Sequence, residues 1–135
     1  MPDLTVTGTV EAARRAFAQA RVSASDIDVV ELYDAFTINT ILFLEDLGFC
    51  KNGEGGAFVS GGRIAPRGSL AVNTNGGGLS YCHPGMYGLL LLIEAVRQLR
   101  GEAGDRQVPG AEIAVAHGTG GLAFSTASTV VLARD

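Results

Sequence analysis

The sequence predicts an α/β fold in which helices are layered against a mixed β-sheet. Two observations carry that expectation. Apolar residues recur first with helical and then with strand spacing, in the order helix, strand, helix, strand, helix, strand, strand. The 19 glycines gather between those segments, around 53–56, 61–62, 76–78 and 118–121, where tight turns belong. At 135 residues and 47% hydrophobic, the chain has the material for one domain, 1–135, with a real core.

The elements follow in order. Residues 9–21 read as an amphipathic helix with Val10, Ala13, Phe17 and Ala20 on its apolar stripe. Ile27 to Tyr33 reads as a strand, and Asp34 is placed to cap a helix over 35–47 that Gly48 ends. The stretch 51–69 is loop-rich, and Leu70 to Asn73 is a short strand. Pro84 opens a long helix to Arg100, because proline suits the first helical position. The Leu89 to Ile93 run is apolar enough to be buried. Residues 101–110 form a polar connector, and Ile113–His117 and Thr126–Ala133 read as an antiparallel pair joined by His117-Gly118-Thr119-Gly120-Gly121.

Composition excludes several classes of function. The net charge is −4 with 18% charged residues and no basic run, so nucleic acid is not the expected partner. The two cysteines, Cys50 and Cys82, have neither CxxC nor metal-ligand spacing; reduced thiols in a cytoplasmic protein, with no metal, are expected. The longest apolar run, Met86 to Ala95, is broken by Gly88 and Glu94 and falls well short of the roughly 20 residues of a membrane span, so no membrane partner is expected.

Tyr33, His83 and His117 each fall at a strand end or in the loop after it, the edge where open α/β sheets bind ligands. On this reading His83 sits at the N-cap of the 84–100 helix, where the helix dipole favours a neutral imidazole able to move a proton or support an oxyanion. Tyr81 lies in the glycine-rich loop and is a second candidate for proton transfer, although a free phenol titrates near about 10 and needs help to act as a base. Tyr87, one turn into a helix, reads as core or interface. Asn73 and Asn75 supply either turn geometry or ligand contacts, and Arg63 and Arg67 either solvated charge or phosphate contacts.

Three motifs then combine in order: Tyr33-Asp34-Ala35-Phe36, Asn75-Gly76-Gly77-Gly78 followed by Cys82-His83-Pro84, and His117-Gly118-Thr119-Gly120-Gly121. They resemble the Asn-Glu-Ala-Phe, Gly-His-Pro and Cys-x-Gly motifs of the C-terminal half of the thiolase superfamily. The chain departs from that pattern at the cysteines. His117 stands where the acid/base cysteine would, Ala35 stands where one subgroup carries a cysteine, and Cys82 takes the glycine position before His83-Pro84. The chain is most similar to thiolase-like lipid-transfer proteins of sterol catabolism, which share Leu-Tyr-Asp-Ala-Phe and Asn-Thr-Asn-Gly-Gly-Gly-Leu-Ser-Tyr.

That resemblance implies a thiolase-like half, either a C-terminal fragment or a separately encoded lobe. Its partners would be an N-terminal thiolase half, a DUF35 OB-fold protein, or both, in an oligomer. No cofactor is expected to be held permanently; a CoA thioester would be the substrate. The implied reaction is retro-aldol cleavage of a β-hydroxyacyl-CoA, which needs a base for the hydroxyl proton and donors for the enolate but no nucleophilic cysteine. Tyr33, Tyr81, His83 and His117 would carry the chemistry, with Asn73, Asn75, Gly118 and Gly120 around the substrate oxygen. A Claisen-type acyltransferase lobe and a non-catalytic scaffold are the alternatives.

Overall fold

Strand β1 (Val29–Leu32) is buried along its whole length, and the other elements are arranged about it. The computed structural model describes residues 4–121 and 124–135. On one side β1 runs parallel to the short strand β2 (Ala71–Val72), and on the other parallel to β3 (Ile113–Gly120). The last strand, β4 (Thr126–Ala133), is antiparallel to β3, which gives a four-stranded mixed sheet in the order β2-β1-β3-β4. A strand flanked by parallel neighbours and covered on both faces is mostly apolar, and Val29, Val30 and Leu32 meet that need, with Glu31 the exception.

Helices cover both faces. Alternate residues of β1 and β3 divide the core: Val30, Leu32 and Val115 meet Ala13 of α1 (Thr9–Ala20) and Phe43 and Leu44 of α2 (Thr37–Asp46). Val29, Ala114 and Ala116 meet Tyr87, Leu91, Ala95 and Leu99 of α4 (Tyr87–Arg100). A short helix, α3 (Gly55–Val59), interrupts the stretch expected to be loop. Left-handed Gly101 closes α4, with the Glu102 amide reaching back to the Arg97 carbonyl and that of Gly101 to Gln98.

The structure departs from the sequence expectations in several further local ways. The inner face of α1 centres on Thr9 and Ala13, leaving Val10 41% exposed, because the buried Thr9 hydroxyl is partnered by His117. Helix α2 starts at Thr37 without a side-chain cap, because the Asp34 carboxylate is engaged elsewhere, by the amide of Gly78 at 2.7 Å. Helix α4 starts at Tyr87; residues 84–86 form a turn, so His83 is not its N-cap and the dipole argument for a neutral ring lapses. Within the Leu89–Ile93 run Leu91 is fully buried, while Leu89, Leu90 and Ile93 are 58%, 40% and 50% exposed. The buried stripe runs through 87, 91, 95 and 99, and the opposite face of α4 is left open. The predicted antiparallel pair is present, with β3 continuing through Gly118 to Gly120 as strand rather than loop.

Candidate active site

The carboxyl end of β1 carries the site. Tyr33 follows the strand directly and keeps its place through a bond from its own amide to the His117 carbonyl at 3.0 Å. Its side chain leaves on the α4 face, where its ring lies 5.6 Å from that of Tyr87. The segment ahead of α4 brings His83 over it. Tyr33 Oη and His83 Nε2 are 3.0 Å apart, and the rings meet edge to face. Two of the four proposed catalytic side chains are thereby joined by a hydrogen bond, although they are 50 positions apart in the chain.

The glycine-rich loop that delivers His83 is tied to the end of β1 at several points. The Asn73 side-chain carbonyl accepts the Leu32 amide at 2.6 Å, while its backbone takes a left-handed φ of 49°. Asn75 accepts the Gly77 amide at 2.9 Å in a local turn. Buried Asp34 accepts the amides of Gly78 and, more weakly, Leu79. A Cβ on Gly77 would collide with this carboxylate, so only glycine permits so close an approach. The two asparagines thus supply turn and strand-end geometry, with Asn75 also reaching a cleft.

Two clefts flank the buried Tyr87. One, of about 310 Å³, is lined by Tyr33, Gly85, Gly88 and the Gly118–Gly120 strand backbone. The other, of about 340 Å³, is lined by Asn75, Tyr81, Cys82, Leu90, Ile93 and Arg97. The Tyr87 hydroxyl is buried and has no partner among the described residues, and burial, with Asp34 and Glu31 nearby, pushes its phenol well above the ordinary range. Tyr81 is 69% exposed on the second cleft. A concavity of about 750 Å³ lies at the opposite end of the sheet, around Ser25, Asp28, Arg67 and Asp105, and none of the proposed catalytic side chains lines it. Arg63 stacks on Phe58, its guanidinium carbon 4.7 Å from the ring centre.

His117 is not part of this cluster. It is fully buried on the other face of the sheet, against Phe43, with Nε2 2.9 Å from Thr9 Oγ1 and Nδ1 2.9 Å from Thr129 Oγ1. Burial lowers its pKa from an ordinary 6.5 to about 4, so the ring is neutral at pH 7. Gly118 and Gly120 line the first cleft as strand residues paired with Ser128 and Thr126. Among the described residues no group of three or more His, Cys, Asp or Glu could hold a metal ion, and no helix is long and apolar enough to cross a membrane.

Sequence reasoning missed a buried polar cluster beneath the loop. Glu31 and Glu94 both touch the Thr74 hydroxyl, and Arg106 and Gln98 bond Glu94. The signal available was an acidic residue in the middle of an apolar strand, Val29-Val30-Glu31-Leu32.

Comparison with known proteins places the chain in a family. An acetyl-CoA acetyltransferase of Methanothermobacter thermautotrophicus is 46% identical over 130 residues, covering 96% of this chain and 34% of that protein. Sterol carrier protein 2 of Oryctolagus cuniculus is 48% identical over 119 residues, covering 86% of this chain and 22% of that one. The solved structure of an Ltp2-ChsH2(DUF35) aldolase superposes with a TM-score of 0.81 at 32% identity, covering 94% of this chain and 32% of its own. The chain therefore spans about a third or less of the relatives it matches. The model of the thiolase C-terminal domain-like family matches residues 1–134, and the chain belongs to that family.

Proposed function

We propose that the chain is the C-terminal lobe of an acyl-CoA enzyme that cleaves a β-hydroxyacyl-CoA by a retro-aldol reaction. The observation that carries this reading is the Tyr33–His83 hydrogen bond at the mouth of the sheet, a proton-transfer pair with no sulfur in it. The similarity to an aldolase structure supports it. Tyr33 Oη takes the β-hydroxyl proton while its own proton passes to His83 Nε2. The carbon–carbon bond breaks to give a ketone and a thioester enolate, and the proton returns to the enolate carbon to give the shortened acyl-CoA. A neutral phenol is a poor base alone, so the imidazole acceptor at 3.0 Å is what makes the step accessible. This assigns His83 to proton relay rather than to the enolate oxygen, and assigns His117 to the core.

The open apolar face of α4, with Met86, Leu89 and Ile93, calls for a covering partner, and an N-terminal thiolase half fits it; a DUF35 protein is a further partner suggested by the aldolase neighbour. A Claisen-type acyltransfer is the second reading, favoured by the acetyltransferase similarity, and it requires a cysteine from the partner lobe. The deciding experiment supplies the assembled protein with a branched β-hydroxyacyl-CoA. Ketone plus shortened acyl-CoA, formed without added CoA, supports the lyase. Cleavage only of a β-ketoacyl-CoA, and only with CoA, supports the acyltransferase. Silence in both assays supports a scaffold.

A further inference from the structure

Beneath the catalytic loop a single hydroxyl faces two carboxylates. Thr74 Oγ1 is 2.8 Å from Glu31 Oε1 and 2.8 Å from Glu94 Oε1. A threonine hydroxyl has one proton to donate, so it satisfies only one of them; the second contact requires an O–H on the carboxyl side. Arg106 decides which side. Its guanidinium grips both oxygens of Glu94, through Nε at 2.8 Å and Nη2 at 3.0 Å, which is the geometry of an ionised carboxylate. Glu31 has no such cation; it is fully buried, and its Oε2 has no partner among the described residues. An orphaned carbonyl oxygen is far cheaper to bury than an orphaned carboxylate oxygen.

We propose that Glu31 is a neutral carboxylic acid whose proton is donated from Oε1 to Thr74 Oγ1, and that this proton makes Glu31 a positioning residue for the catalytic loop. The chain of donors runs from Glu31 to Thr74 to the Glu94 carboxylate and ends on Arg106. The Thr74 amide closes the link by donating back to Glu31 Oε1 at 3.2 Å. Thr74 lies between Asn73, which holds the end of β1, and the Gly76–Gly78 run that leads to His83. Fixing it fixes the loop on which the Tyr33–His83 pair depends. The inference does not rest on the retro-aldol reading.

The surroundings agree. Burial pushes the Glu31 carboxyl from an ordinary 4.5 up to about 7, against the Thr74 bonds and aided by Glu94 and Asp34. At Glu94 burial acts in the same direction, but the bonds from Arg106, Thr74 and Gln98 outweigh it and hold that group below its ordinary value. The titratable and charged groups facing Glu31 are Asp34 beyond its own strand, Glu94 and Tyr87 on α4, and Arg106 after it; β3 places Ala116 alongside, and β2 consists of Ala71 and Val72. Loss of the proton would leave two carboxylates around one hydroxyl and push Thr74 out of place.

The test is carbon-13 NMR of the assembled protein with labelled glutamate carboxyls, combined with infrared spectroscopy. The expected result is a carboxyl resonance, absent in Glu31→Gln, that titrates near neutrality, together with a protonated-carboxyl stretch below that midpoint. Hydrogen exchange of the amides of residues 74–78 is expected to rise over the same window. A Glu31 carbon already ionised in mild acid overturns the proposal, and loop exchange that ignores the carboxyl titration overturns the positioning role. If Glu31→Gln does not fold, Thr74→Val replaces it: the stretch should shift to that of a carboxyl without an acceptor, and an unmoved band overturns the assignment.

Discussion

The two histidines of this chain stand on opposite faces of one sheet, and their fates differ completely. His83 is exposed, reached through a turn, and bonded to a tyrosine at the rim. His117 is sealed between α1 and β4, with a threonine hydroxyl on each ring nitrogen. Both belong to glycine-rich motifs close to strand ends, so residue type and neighbourhood do not separate them. What separates them is parity. Side chains alternate along a strand, and His117 pairs in register with Leu32, so it faces the α1 side, whereas Tyr33, one residue on, faces α4. One step along a strand divides a side chain at the rim from one in the core.

The two histidines should differ most in kinetics. If the assembled protein runs the proposed reaction, Tyr33→Phe is expected to lower kcat by about 10²- to 10⁴-fold. His83→Ala should do about the same, and the double variant should lose little more than either, because the two act as one relay. Thermal unfolding of Tyr33→Phe should stay near that of the parent, since the hydroxyl is at the rim. A full-rate Tyr33→Phe enzyme would remove the pair from the mechanism.

His117 should respond in the opposite way, in stability. His117→Ala removes a partner from the buried Thr9 hydroxyl and from the half-buried Thr129 hydroxyl and opens a cavity, at a cost of about 3 kcal/mol in urea denaturation. The pH dependence sharpens the contrast. The folded-state pKa is depressed, from 6.5 to about 4, so the contribution of this ring is fully present above 6.5 and is lost as pH falls towards 4. The loss should reach about 3 kcal/mol. A stability profile of His117→Gln with the same acid slope as the parent would show that another group sets it.

Much of this arrangement was legible in the residues, and the illegible part shares a cause. The strand around Val29–Leu32, the antiparallel last pair and the nearness of Tyr33 to a loop histidine follow from local periodicity and turn chemistry. Asp34 did not, because its partner amide lies 44 positions away, and a local capping role was the only one visible. Thr74, Glu31, Glu94 and Arg106 escaped for the same reason: each looks ordinary beside its neighbours, and only the fold assembles them. The face of His117 was hidden because a one-residue register decision is not encoded in composition.

Asp34 offers an intermediate test, because its carboxylate joins the end of β1 to the loop below His83. Asp34→Asn exchanges an ionic acceptor of the Gly78 amide for a neutral one and should cost about 2 kcal/mol. Its kinetic cost should resemble a weaker Tyr33→Phe, since the loop would hold His83 less firmly over Oη.

The smallest expected effect concerns α4, where the contrast of faces repeats on a helix. Leu91 is fully buried beneath the sheet, and Ile93, two residues on, is 50% exposed. Substituting a polar side chain at an exposed position away from special contacts usually shifts stability by no more than about 0.5 kcal/mol, so Ile93→Gln should leave this chain nearly as stable as before. The same change should weaken assembly with a covering lobe, because a polar amide would then be buried in an apolar contact. Denaturation of the chain alone and affinity for a covering lobe therefore move apart only if this face is an interface. Equal, negligible shifts in both would mean that α4 meets its partner elsewhere, and the apolar row from Met86 to Ile93 would need another explanation.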